Sequence, residues 1–334
     1  MKPDILSIED TTMGRDSGTR RSKSRKNVWY IVYQSKVMQQ VMDMADKVAQ
    51  SDSPVMILGE TGTGKELIAR YIHLNSRRKR NPFLDVNCAS ISQSLLEAEL
   101  FGHEKGSFTG ANEQRRGLFE LAHRGTLFMD EIGEMSPTTQ SNLLRVLETG
   151  SFRRIGGETP LRTDVRLITA TNKDLESSIA DKTLRNDLYY RLNTVVITLP
   201  PLRKRREDIW FLAEHFLSMG NKQQGIRKRF APDVRPIFEK YHWSGNVREL
   251  KNTVERMVLL SEGDEIKLSD MFPDKLFMQA KTGESSLLPL EEVEKRYMLK
   301  VLSYTRGNRR EAAGILRISE PTLYRKIKEY NIRG

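Results

Sequence analysis

Apolar positions in this chain fall into two alternating rhythms up to about residue 202 and a single rhythm after it. In KVMQQVMDMADKVA, residues Val37, Met38, Val41, Met42, Ala45, Val48 and Ala49 recur at helical spacing. That pattern predicts an amphipathic helix whose methionines are core rather than a special site. Beyond Pro54, the short apolar runs PVMILG, FLDVN, GTLFMDE and DVRLITATN alternate with helical stretches such as KELIARYIHL. Short, nearly continuous apolar runs fit strands covered on both faces, so the alternation predicts an α/β domain with a parallel sheet over residues 28–202. Strands then stop. IWFLAEHFLSM, APDVRPIFEKYHW and NVRELKNTVERMVLL predict a helical lid over residues 203–265.

Two weakly patterned stretches separate the rest. Residues 1–27 are polar and end in RDSGTRRSKSRK, which buries too little apolar surface to offset ordering entropy, so a disordered basic tail is expected. Residues 266–287, including DMFPDKLFMQAKTGESS, carry turn residues and little periodicity and are expected to be a linker. From residue 288 to 334 the pattern is helical again, with three helices in LEEVEKRYMLKVLSYTRGNRREAAGILRISEPTLYRKIKEYNI.

Composition narrows the function classes. The 334 residues suffice for two or three domains, each with its own core. No apolar run approaches the roughly eighteen residues of a membrane helix, and MKPDILSIEDTT lacks the basic and apolar regions of a secretory signal. The single cysteine, Cys88, cannot form an internal disulfide and suits a reducing, cytoplasmic setting. A net charge of +11 points to a polyanionic partner, with nucleic acid foremost.

The chemistry sits at the strand ends. GETGTGK, Gly59, Glu60, Thr61, Gly62, Thr63, Gly64 and Lys65, follows a strand and precedes a helix, the setting of a phosphate-binding loop. Its glycines admit phosphate to backbone N–H groups, the helix N-terminus favours anions, and Lys65 reaches the outer phosphates. Glu66 stands where Ser or Thr usually meets Mg²⁺. The run LFMDE ends in Asp130, suited to hold Mg²⁺, and Glu131, suited to polarise a water. Thr171 and Asn172 close a later strand and are candidate phosphate sensors, while Arg185 and Arg191 lie six apart on a helical pattern.

GETGTGKE, VNC, FGHEKGSFTGA, GTLFMDEIGE, FRRIGG, DVRLITATNKDL, LRNDLYYRLN, PPLRKRREDI and WSGNVRELKN occur in the order found in the AAA+ domain of bacterial enhancer-binding proteins. Over residues 30–265 the chain resembles these activators of sigma-54 RNA polymerase. The resemblance implies ATP and Mg²⁺ as cofactors and makes Glu66, which normally follows the family's Lys, part of the site. It implies that Asn87 is a switch holding the Glu131 carboxylate, that Thr171 is sensor I and Arg248 sensor II. Arg185 and Arg191 are implied to be arginine fingers that enter a neighbouring subunit, in a ring that is usually a hexamer. GSFTGA resembles the family's GAFTGA loop, with Ser107 for the commoner Ala. Gly106, Ser107, Phe108, Thr109, Gly110 and Ala111 are then the sigma-54 contact segment, with Phe108 and Thr109 at the contact and the glycines allowing a sharp path.

The C-terminal helices resemble a Fis-type helix-turn-helix. Ala312, Ala313, Leu316, Ile318, Leu323 and Ile327 are expected inside. Ser319 is the expected N-cap, and Thr322, Arg325 and Lys326 are expected to face base edges or phosphates. Arg317 occupies a turn position where the family commonly has Gly, which costs about 1 kcal/mol if φ is positive there.

The resulting expectation is an ATP-driven activator that binds upstream DNA and opens sigma-54 polymerase at a closed promoter. A DNA-binding regulator that uses nucleotide only to oligomerise is the alternative, and an AAA+ unfoldase or replication factor a third reading. So few residues precede residue 28 that control is expected from a regulatory partner protein, expression level or a hetero-oligomeric mate, unless the chain has been trimmed.

Overall fold

A computed structural model of the chain describes residues 4–10, 27–108, 111–181, 183–271, 290–305 and 308–330. They fall into two compact units divided at residue 281.

The first unit opens where a disordered tail was expected. Strand β1 (Asp4–Asp10) pairs antiparallel with β2 (Asn27–Tyr33), Asp4 opposite Tyr33 and Asp10 opposite Asn27. Leu6 and Trp29 pack on the first core cluster, which supplies the apolar contact that the polar composition of residues 1–27 hides. Residues 11–26, with the basic run RDSGTRRSKSRK, lie outside the described residues.

Helix α1 (Lys36–Ala49) follows, its N-cap Ser35 accepting from the Met38 amide, and buries Met38, Val41, Met42, Ala45, Val48 and Ala49 as its spacing requires. The expected parallel sheet has five strands: β3 (Val55–Leu58), β4 (Phe83–Asn87), β5 (Thr126–Asp130), β6 (Arg166–Thr171) and β7 (Val195–Thr198). Their order is β7-β3-β6-β5-β4, every pairing parallel. Strand alternation divides their side chains between two cores. Val55, Ile57, Phe128, Ile168 and Ala170 join α1 and α2 (Lys65–Leu74) on one face. Met56, Leu127, Met129 and Leu167 join α3 (Gln93–Phe101), α4 (Pro137–Thr149) and α5 (Asn186–Leu192) on the other. All five carboxyl ends therefore meet along one edge, and the phosphate-binding loop grows from β3, an inner strand between β7 and β6.

The helical lid contains α6 (Arg206–Gln224), α7 (Val234–Lys240) and α8 (Asn246–Leu260) around Phe238, Trp243 and Val254. It extends past residue 265, because Ile266 and Leu268, placed by expectation in a linker, pack into this core. Residues 272–289 lie outside the described residues.

In the second unit, α9 (Leu290–Tyr304), α10 (Arg309–Leu316) and α11 (Glu320–Glu329) enclose Met298, Val301, Ala312, Ala313 and Leu323. Arg317 does take the left-handed conformation, φ 52° and ψ 39°, as the C-cap of α10.

Candidate active site

Gly62 and Gly64 both have positive φ, 80° and 104°, where a side chain would be strained. At Gly62 a Cβ would also stand 2.3 Å from Gly245 O, so the lid closes directly over the loop. Gly64 caps the N-terminus of α2, whose free N–H groups face outward at the loop. Gly59 N–H donates to Thr171 O, Thr63 is buried with its hydroxyl on Glu60 O, and Lys65, 6% exposed, donates from Nζ to Gly59 O at 2.8 Å. Glu66 pairs with Arg70 at 2.9 Å, which engages its carboxylate along the exposed flank of α2.

The acidic pair stands beside this loop. Asp130 ends β5 and its Oδ1 accepts from the Glu131 amide at 3.0 Å. Glu131 adopts a left-handed conformation, φ 55° and ψ 50°, a costly one for a non-glycine residue. That turn aims its carboxylate at Lys65 Nζ, 3.7 Å away, and lets Oε2 accept from the Asn172 amide at 3.2 Å. Asn87 contacts the other carboxylate of the pair: its Nδ2 donates to Asp130 Oδ2 at 3.5 Å, not to the Glu131 side chain the resemblance implied. The neighbouring Cys88 thiol is pushed up to about 12, by burial first and then by Asp130 and Glu131, so it is an inert core thiol.

The two sensor candidates separate. Thr171 is 1% exposed and its hydroxyl accepts from the Lys173 amide. Asn172 instead reaches the loop, with Nδ2 donating to Thr61 Oγ1 at 2.9 Å. Thr171 is the buried last residue of β6, whereas Asn172 lies just past the strand, exposed and facing the loop.

The lid closes the site through residues that the sequence motifs contain but that individual spacing did not mark. Arg203 forks onto Glu60, with NH1 to Oε2 at 2.7 Å and NH2 to Oε1 at 2.5 Å. Asn246, fully buried and at φ 54°, accepts from Leu202 N–H and donates to Glu60 and to Thr61 O. Arg203 first, and then Asn246, hold the Glu60 carboxyl down to about 2. Buried Arg205 donates to Thr63 O, and burial lowers its pKa. Asp208 stands as its countercharge and accepts from Gln34 N, Ser35 N and Ser35 Oγ. Arg248 is exposed at the start of α8, its N–H donating to Gly62 O at 3.3 Å.

Arg185 and Arg191 are both exposed. Arg185 caps α5 and pairs with Asp187, while Arg191 donates to Leu147 O.

From the end of α3 the chain leaves as the GSFTGA loop. Gly106 has φ 79° and its N–H donates to Ala111 O at 2.8 Å, closing the base of the loop. Phe108 is 41% exposed, its ring edge-on to His103 at 5.0 Å. Thr109 and Gly110 lie outside the described residues. Ala111 is 4% exposed and so anchors the loop instead of presenting a contact side chain. A second loop grips the stem: Arg154 binds Glu120 through two nitrogens and Glu104 through the third, and a Cβ on Gly156 would stand 2.7 Å from the Ser107 Cβ.

These features recur in known proteins. Residues 31–198 match the sigma-54 interaction domain, 203–287 the AAA+ ATPase lid domain and 289–330 the Fis family of bacterial regulatory proteins. The chain belongs to the sigma-54 activator family. It is 45% identical over 316 residues to the regulatory protein AtoC of Escherichia coli (strain K12), covering 91% of this chain and 68% of AtoC. Against the Nif-specific regulatory protein of Herbaspirillum seropedicae the identity is 53% over 233 residues, or 70% of this chain and 43% of that protein. NtrX from Brucella abortus, in its complex with ATP, is similar in structure with a TM-score of 0.69 at 37% identity, covering 90% of this chain and 69% of NtrX.

In the helix-turn-helix, one residue expected at DNA is engaged within the unit. Ser319 Oγ accepts from the Thr322 amide as N-cap, and Arg325 is exposed. Lys326 instead donates to Glu294 of α9 and to Tyr330 OH, so it serves helix packing. No helix among the described residues is long and apolar enough to cross a membrane.

Proposed function

We propose that the chain is an ATP-hydrolysing ring subunit that binds upstream DNA through α10 and α11 and drives the GSFTGA loop against sigma-54 polymerase. The carrying observation is that Glu131, in a strained turn, meets both Lys65 and the Asn172 amide at one sheet edge. A module that merely held nucleotide has no need of a carboxylate fixed in that way.

In this reading the loop amides and Lys65 bind the phosphates of ATP, Asn172 and Arg248 orient the terminal one, and Glu131 takes the proton of the attacking water. Asp130 supplies a hard carboxylate oxygen, the ligand type Mg²⁺ combines with phosphates and waters, whereas Glu66 is committed to Arg70. When bound, Mg²⁺ neutralises phosphate charge. Arg185 and Arg191, both exposed, reach the terminal phosphate of a neighbouring subunit in a homo-hexamer or a hetero-oligomer. Asn87 touches Asp130 and lies shortly before α3, so a change at the acidic pair is passed through α3 to Phe108 and Thr109. A cytoplasmic location and a regulatory partner protein follow from the same reading.

The test is Thr109→Ala in a reconstituted sigma-54 promoter assay. ATP turnover is expected to persist while open-complex formation is lost. Open complexes formed at the unmodified rate overturn the assignment of the loop, and absent turnover in the unmodified protein favours the nucleotide-for-assembly alternative.

A further inference from the structure

The parallel sheet has a second edge, at the amino ends of its strands, which the ATPase reading leaves unused. The turn before β4 carries Arg77, Arg78, Lys79 and Arg80, and the turn before β5 carries Arg124. The two turns are tied together: Asn81 Nδ2 donates to Arg124 O, Thr126 N to Pro82 O, and Arg78 NH1 to Gly125 O. The carboxylates ahead of β3 and β6, Asp52 and Asp164, are both engaged by Arg78. Arg77, Lys79, Arg80 and Arg124 are exposed and make no ion pair among the described residues.

Arg124 carries a second signal. Its φ is 64°, held by its N–H on Asp164 O, a conformation in which glycine is the undemanding choice. A long cation kept at a strained turn marks a site where the side chain is worth more than local stability.

We propose that this edge is a sequence-independent docking surface for the phosphate backbone of duplex DNA, separate from the helix-turn-helix. Four unpaired cations on two joined turns fit phosphate contacts that position without reading sequence. DNA is the polyanion favoured here because the same chain ends in a Fis-type DNA-binding domain, which raises the local concentration of duplex. The choice of DNA as the polyanion rests on the reading of α10 and α11 as a DNA reader.

The test measures binding of the full chain to a random-sequence duplex over a range of KCl concentrations. For Arg77→Gln/Lys79→Gln/Arg80→Gln/Arg124→Gly, the slope of log affinity against log salt should become shallower by about 3.6, at roughly 0.9 per lost phosphate contact. Arg325→Ala should lower affinity for a specific operator and leave most of that slope in place. Arg124→Gly alone should reduce the slope by about one without lowering the melting temperature, which a merely structural role would not do. An unchanged slope in the fourfold variant overturns the proposal. So does a patch-dependent attachment to phosphatidylserine vesicles with no patch-dependent binding of duplex.

Discussion

Arg203 of the lid forks onto Glu60 of the phosphate-binding loop through two parallel bonds, at 2.5 and 2.7 Å. The folded Glu60 carboxyl lies near 2, below its ordinary 4.5. Its contribution is therefore complete above the unfolded value and lost as pH falls from about 4.5 toward 2. The pair is partly exposed, so about 1 kcal/mol at neutral pH is a reasonable scale. Glu60→Gln should lower the unfolding free energy at pH 7 by that amount, seen as a lower melting temperature, and the gap from the unmodified protein should close in acid. Parallel curves from pH 7 to 2.5 would count against the assignment.

Asn246 ties the same junction from inside. Asn246→Ala leaves the Leu202 N–H and Thr61 C=O without their partner and places alanine at φ 54°. The buried Leu202 N–H costs about 1–3 kcal/mol when unsatisfied and the part-buried Thr61 C=O less, so a loss of about 2 kcal/mol is expected in chemical denaturation. Titration with a fluorescent ATP analogue should show weaker binding, because the lid then seats less firmly on Gly62. Unaltered affinity together with unaltered stability would remove Asn246 from the closing of the site.

The sheet is legible in the sequence because strands buried on both faces write continuous apolar runs, and its loop and acidic pair are legible because each is a local motif. Strand β1 is not: its pairing with β2 spans a polar stretch, and Leu6 is its contact with the core that Trp29, Ile31 and Tyr33 of β2 also join. The choice of Asn172 over Thr171 depends on where β6 stops: Thr171, opposite Leu58, is its buried last residue and Asn172 lies just past it, a boundary that no single motif states. Arg203, Asp208 and Asn246 escaped assignment because their partners, Glu60, Ser35 and Thr61, lie far away in sequence. Helical spacing sets Lys326 near Thr322, but Glu294 of a third helix captures its charge.

Glu131 is fixed for proton transfer by Lys65 and the Asn172 amide. Glu131→Gln preserves size and a hydrogen-bonding oxygen while removing the base. Nucleotide binding should survive, and steady-state phosphate release should fall by a factor of about 10² to 10⁴. A rate within a few fold of the unmodified protein would show that another group takes the proton.

Arg154 joins the two loops that rise from this unit, binding Glu104 at the GSFTGA stem and Glu120 beyond it. Both carboxyls are held below their ordinary values, chiefly by this guanidinium. Arg154→Ala frees the stem without touching Lys65, Asp130 or Glu131. ATP turnover should change little, while trapping of sigma-54 with a transition-state mimic of ATP should weaken at least tenfold. Undiminished trapping would mean that the stem is ordered by Gly156 against Ser107 and the Gly106–Ala111 bond alone.

In the C-terminal unit, Arg317 closes α10 in a left-handed turn, with its N–H donating to Gly314 O and Ile318 N–H to Ala313 O. Its side chain is exposed, so replacement removes strain without removing packing. Arg317→Gly relieves the Cβ clash of that conformation, offset in part by the larger freedom of glycine in the unfolded chain. A net gain of up to about 1 kcal/mol is expected, read as slower amide exchange in α10 and α11. The same turn sets the angle at which α11 presents Thr322 and Arg325, so operator affinity should hold or rise. Faster exchange in the glycine variant would mean that the arginine stem stabilises the turn by contacts that outweigh its backbone strain.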